Sequence, residues 1–355
     1  MALLKSTVIV ALLATSCGIT ETKKLKKSND MIGIRLTEKF DRPTDCRAHI
    51  KEALCLVAPD PNHPNEVPDN SKKRSCLGGE GAYVEAFEQL YDNYPPVLQK
   101  MFCSLRKIQI EEKFFGTAYA NIVWKDEANH VSDGAIMGIR KSVLDEKLTL
   151  TRWSSWKEQL SFGGVVDSYT VKDDLPKIET SSKDQINDFL YFVVAHEFGH
   201  FLDFSNNLNE QINCSKKTEN PDDQVCDFAD GSWGSLSWEN TKTILPEFDF
   251  ELRPELCFYW CDGKTLGKDQ IDSVYQGLSN APFVSTYSTT NARDDFAETF
   301  AYRLLNQYVD SKYSLVTPAP AQIRYDIIEK LRGERMASKV EYVDDVIAKD
   351  DLKYP

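Results

Sequence analysis

The chain has 355 residues, a formal net charge of −13 and a pI near 5.0. That balance argues against nucleic acid as a partner, since a phosphate backbone needs a basic stripe to neutralise it and none is visible. The length is enough to bury one large core and leave some chain over for an extension.

The chain opens on MALLKSTVIVALLATSCGIT: one lysine, a short apolar run from Thr7 to Ala14, then small residues and Cys17. That run is too short to span a bilayer as a permanent helix and reads as a cleaved export signal over 1–16. LATSC resembles a bacterial lipobox, with Ala14 where leucine is usual. The resemblance implies a lipid on Cys17 and membrane contact only through that anchor, with simple secretion as the alternative. The polar TETKKLKKSND begins a tether that runs from 17 to 45. The expected location is therefore the bacterial cell envelope or the exterior.

Eight cysteines besides Cys17 follow, an even number that in an exported chain suggests disulfides. Closeness favours Cys214 with Cys226 and Cys257 with Cys261. Cys46, Cys55, Cys76 and Cys103 are left to pair among themselves.

Residues 56–75, crowded with Pro, Asn, Asp and Ser, read as a loop pinned by the flanking cysteines. AYVEAFEQLYDNY predicts a helix broken by Pro95 and Pro96. GTAYANIVW and KLTLTRWSSW alternate as strands do, and GAIMGIRKSVLD between them predicts another strand before a turn. A small sheet thus precedes QINDFLYFVVAHEFGH, a helix whose start is marked by Ser182 and Gln185 in capping-box spacing. It is apolar almost all round, as a central buried helix must be. Residues 205–285 show little periodicity and read as a long insert. A second helix begins at Asn291, its N-cap, with Ala297, Ala301 and Leu305 along one stripe. Two amphipathic segments, AQIRYDIIEKLRG and SKVEYVDDVIAK, close the chain.

HEFGH, His196 to His200, ends the buried helix. Residues four apart share a helix face, so His196 and His200 can direct both imidazoles at one point. Glu197 sits beside them, able to hold a water, which is the geometry HExxH supplies in zinc peptidases. Buried ionisable groups are costly unless paired or bound to metal, and this supports a single zinc ion over a chance match. Catalytic zinc needs a third protein ligand. Asp203 and Asn206 stand where a metzincin carries Gly and His, so that class is excluded. His49, His63 and His130 read as ordinary surface histidines. In NARDDFAETF, Asp294 and Glu298 are four apart, so that one could bind zinc while the other braces a zinc histidine. Gly199, costly within a helix, suggests close approach of another backbone.

HEFGHFLD followed by TYSTTNARDDFAETFAYRL resembles the catalytic domain of the anthrax lethal factor family, gluzincin-like zinc peptidases. Tyr287, Asn291, Asp294 and Glu298 fall in order on that family's motif, and the likeness spans only these two stretches. It implies an α+β, zincin-like fold: a small sheet on the central HExxH helix, a second helix bearing the acidic ligand, and further C-terminal helices. It also implies Asp294 as zinc ligand, Tyr287 as catalytic, Glu298 and Asp203 as supports behind the ligands, and Glu197 as general base. Asp294 is one methylene shorter than the family's usual glutamate, so the second helix must come closer, or Asp295 or Glu298 must substitute.

The domain organisation expected is a metallopeptidase domain over 46–310, including the 205–285 insert, and a C-terminal helical extension over 311–355. The substrate is a peptide or protein, extended along an edge strand for which Gly134–Lys141 is the candidate. Two other readings compete. One is a scaffolding lipoprotein with a structural zinc, against which Glu197 speaks, because such a site needs no general base. The other is a zinc hydrolase of cell-wall peptides, whose chemistry would be the same. Oligomeric state is not legible.

Overall fold

The computed structural model describes residues 40–59, 75–114, 116–126, 131–166, 168–180, 186–215, 224–259, 261, 264–308, 312–319 and 322–355. The signal segment, Cys17, most of the tether, His63, His130 and the Ser182–Gln185 cap lie outside these residues.

The N-terminal part runs α1 (Cys46–Ala53), β1 (Leu54–Val57), α2 (Gly81–Asn93), α3 (Pro96–Phe102), β2 (Leu105–Glu111), β3 (Ala118–Asp126) and β4 (Val131–Arg140). Pro96 at the first position of α3 separates it from α2, because proline fits a helix start and breaks a helix interior. The strands form one sheet in the order β1-β2-β4-β3, with β4 parallel to β2 and antiparallel to β3. Gly134–Lys141 is therefore not an edge. Nearly all of it lies in β4, which is paired on both sides, and β3 is the edge strand beside the central helix. The expectation failed because hydrophobicity marks a strand without marking its neighbours.

KLTLTRWSSW is not a strand. After the short α4 (Lys141–Asp145), this stretch forms helix α5 (Leu150–Gln159). Thr149 caps it by accepting from the Arg152 amide at 3.4 Å, and Trp153 and Trp156, three apart, are both buried. A five-residue alternation is too short to outweigh a cap and a helical stripe.

Strand β5 (Lys177–Thr180) leads to α6 (Ile186–Asn206), the long helix. Phe189, Phe192, Val194, Phe198 and Phe201 are all fully buried, as expected of a helix at the centre of the core. One side packs on β3 and β4 and another on α8 (Ala292–Tyr308). Between these helices the chain forms a small antiparallel sheet, β6 (Gln211–Ile212), β7 (Asp227–Phe228), β8 (Trp238–Asn240) and β9 (Thr243–Ile244), followed by α7 (Ile271–Asn280). The 205–285 insert, which shows little periodicity in sequence, is thus built of pieces too short to show a period.

At the C-terminus, β10 (Tyr313–Val316) pairs with β5 and with β11 (Arg324–Asp326), followed by α9 (Ile327–Leu331) and α10 (Ala337–Ala348). AQIRYDIIEKLRG is therefore strand over Arg324–Asp326 and helix over Ile327–Leu331. Asp326 accepts from the Glu329 amide at 2.9 Å, which fixes the helix start late. The disulfides are Cys46–Cys103, Cys55–Cys76, Cys214–Cys226 and Cys257–Cys261. Among the described residues no helix is long and apolar enough to cross a membrane.

α10 is tied to α8 by a buried ion pair. Lys339 Nζ lies 2.5 Å from Asp295 Oδ2 and donates to the Pro282 carbonyl at 2.7 Å. Burial pulls the ammonium down to about 8 despite Asp295. Removing one partner of a buried pair strands the other charge. Asp295 would keep Trp238 Nε1 at 3.1 Å and Ser237 Oγ at 3.4 Å. Lys339→Ala is therefore expected to cost about 3 kcal/mol, the low end for a broken buried pair. Denaturant unfolding checks this, and an unchanged midpoint would refute it.

Candidate metal centre

α6 brings His196 and His200 onto one face, and their Nε2 atoms lie 3.1 Å apart. α8 supplies Asp294, whose Oδ1 is 3.6 Å from His196 Nε2 and 3.5 Å from His200 Nε2. All three side chains are at most 2% exposed. A tetrahedral zinc site with bonds of about 2.1 Å has edges of about 3.4 Å. The three edges here, 3.1, 3.5 and 3.6 Å, match that figure. Two imidazoles and a carboxylate are also a donor set zinc takes in catalytic sites. The residues fit a single zinc ion, which His196, His200 and Asp294 would hold.

The short aspartate reaches because the helices are close. A Cβ on Gly199 would stand 3.0 Å from Ala297 Cα, so glycine lets α6 and α8 approach and makes up for the missing methylene. Asp294 also sits where an acid suits a helix start, and its two oxygens divide the roles. Asn291 Oδ1 caps α8 by accepting from the Asp294 amide at 2.9 Å, while Asn291 Nδ2 donates to Asp294 Oδ2 at 2.6 Å. Oδ1 is the oxygen directed at the histidines. Burial opposes ionisation of this carboxyl, but His196 and His200 hold it well below the usual carboxylate range. Burial lowers His200, which favours the neutral ring that a metal needs.

Glu298, one turn on, faces the other nitrogen of His196, with Oε1 3.4 Å from Nδ1. Ser285 Oγ donates to its Oε2 at 2.7 Å, and Lys157 Nζ lies 3.2 Å from Oε1. Burial raises this carboxyl, but Lys157 and His196 bring it down to about 2. Asp295 points elsewhere, to Lys339, as its position about 100° round the helix requires.

Glu197 is fully buried on α6, next to His196. Tyr287, also fully buried, lies beside the ligands, its ring centroid 6.3 Å from that of His196. Asp203 is placed differently from the reading as a ligand support. It accepts from the Asn209 amide at 2.9 Å and from Asn209 Nδ2 at 3.0 Å, and so closes the turn after α6. His49 is mostly buried rather than on the surface, with Nε2 2.7 Å from the Leu105 carbonyl.

Sequence reasoning missed Lys157 and Glu158, consecutive buried charges on α5. Glu158 Oε2 accepts from Tyr275 and from Thr286, each at 2.6 Å. Burial raises the Glu158 carboxyl, opposed by these two donors. A lysine and a glutamate directly after Trp156 were the available signal, hidden once the segment was read as a strand.

A buried HExxH pair, an adjacent glutamate and an acidic third ligand from a second helix, in an α+β fold, form a zincin-type catalytic zinc centre. No family model, curated protein or solved structure matches the chain.

Proposed function

We propose that the chain is an exported zinc endopeptidase related to the anthrax lethal factor family. The observation that carries the hydrolytic reading is Glu197, buried beside the His196–His200–Asp294 triad. A structural zinc site needs its ligands and no further carboxylate beside them, whereas hydrolysis needs a base there. The spacing of Tyr287, Asn291, Asp294 and Glu298 supports the family relation. Four disulfides support the exported state, and lipid attachment at Cys17 rests on LATSC alone.

Zinc in this centre would supply Lewis acidity and lower the pKa of a bound water towards about 7. Glu197 takes the proton of the attacking water and returns it to the leaving amine. Tyr287 donates a hydrogen bond to the oxyanion, the charge that exists only in the transition state. Asp294 and the two histidines fix the position of the reacting centre, with Glu298 orienting His196. An extended substrate adds to the outer edge of β3, beside α6, by main-chain hydrogen bonds.

Digestion of a random peptide library by the purified chain tests this. Internal cleavage that a chelator stops and added zinc restores is the expected result. Cleavage indifferent to chelation would overturn it.

A further inference from the structure

Lys157 has a position that a zinc centre does not by itself require. Its side chain is 4% exposed, and its ammonium lies 3.2 Å from Glu298 Oε1. The same ammonium lies 3.2 Å from the ring centroid of Tyr287 and 4.8 Å from that of Trp153. A buried cation is costly unless its partners are held in good geometry, so these contacts constrain the partners as much as the lysine. Glu298 in turn faces His196 Nδ1 at 3.4 Å. One charge therefore stands two contacts from the imidazole of a metal-ligating histidine and directly on the face of the tyrosine assigned to the oxyanion. Its neighbour Glu158 accepts from Thr286, the residue before Tyr287, so α5 grips the same turn twice.

We propose that Lys157 is a positioning residue that couples the metal ligand His196 to Tyr287, a role resting on the peptidase reading above. Towards the metal, Lys157 and Ser285 together hold the Glu298 carboxylate in place. The carboxylate, 3.4 Å from Nδ1 of His196, favours the ring with its proton on Nδ1 and leaves the Nε2 lone pair directed at the ligand cluster. Towards the tyrosine, a positive charge on the π face draws electron density from the ring. The phenolic O–H becomes a better donor to a developing negative charge, and the ring is pinned where it must act.

The test uses the full purified chain, with zinc affinity read by competition against a chromogenic chelator. Turnover is read on the peptide cut fastest in the library digest. Lys157→Met is expected to weaken zinc binding on the order of 10-fold. At saturating zinc its kcat should fall about 10-fold or more, with KM within about twofold, because the loss is confined to the transition state. Tyr287→Phe should then cost less in the Lys157→Met background than in the native chain. Lys157→Gln keeps a donor for Glu298 but no charge, so it should hold zinc within about threefold of native and still lose kcat. It decides the matter if the methionine variant does not fold. A folded variant with native zinc affinity and fully additive Tyr287→Phe losses would overturn the proposal, since a merely structural ion pair would move the melting temperature alone. Should the native chain bind zinc but cut no peptide, the peptidase reading fails. The affinity measurement then still decides whether Lys157 acts on His196.

Discussion

Glu197→Gln is expected to bind zinc as the native chain does while losing peptide hydrolysis by about 10²–10⁴-fold. The substitution keeps the size and shape of the side chain and removes its charge and its ability to accept a proton. Glu197 is not among the residues whose donor atoms converge on the metal position, which are His196, His200 and Asp294. Affinity should therefore stay near native while turnover collapses. Turnover that survived in this variant would place the base elsewhere and remove the main ground for preferring a catalytic to a structural site.

The second large effect separates the two carboxylates of α8. Asp294 Oδ1 lies within 3.6 Å of both histidine Nε2 atoms, whereas Glu298 touches only the far nitrogen of one of them. Asp294→Ala removes one of three protein ligands. It should lower zinc affinity by more than about 100-fold, the most that loss of an outer partner normally costs. Glu298→Ala should lower it by about 10 to 100-fold, because His196 loses its orientation but stays a ligand. Both effects are read by chelator competition. The opposite ranking would move the ligand register by one turn and leave Asp294 as a helix-start acid held by Asn291.

The parts of this site that are legible in the sequence are those the chain keeps local. His196, Glu197 and His200 lie within five residues on one helix, and helical period alone puts the two imidazoles on one face. Asn291 marks the start of α8 by its side chain, and the four-residue interval from Asp294 to Glu298 shows that both carboxylates share a face. Gly199 advertised the approach of another backbone, and Ala297 is that backbone. The pairs Cys214–Cys226 and Cys257–Cys261 followed from their short separations.

Other features depend on contacts distant in sequence, which local pattern does not carry. Lys157 and Glu298 are 141 residues apart. The order β1-β2-β4-β3 sets β4 inside the sheet although it follows β3 in the chain, and hydrophobic alternation is the same for an inner strand and an edge. For α5 the cause is competition between two periods. KLTLT alternates for five residues, while the helix is specified by Thr149 and by two tryptophans that reveal their face only once the fold has closed over them. Asp203 matched a motif position, yet its partner is Asn209 in the turn that follows, a local need any helix end can have.

The central claim is that His196, His200 and Asp294 form one zinc site, and metal analysis of the purified chain tests it most directly. About one zinc per chain is expected. That zinc should be removable by chelation, restorable by adding zinc back, and lost when His196 and His200 are both replaced by alanine. A folded native chain with no stoichiometric zinc after incubation with the metal would contradict it, as would zinc retained by the double-alanine variant.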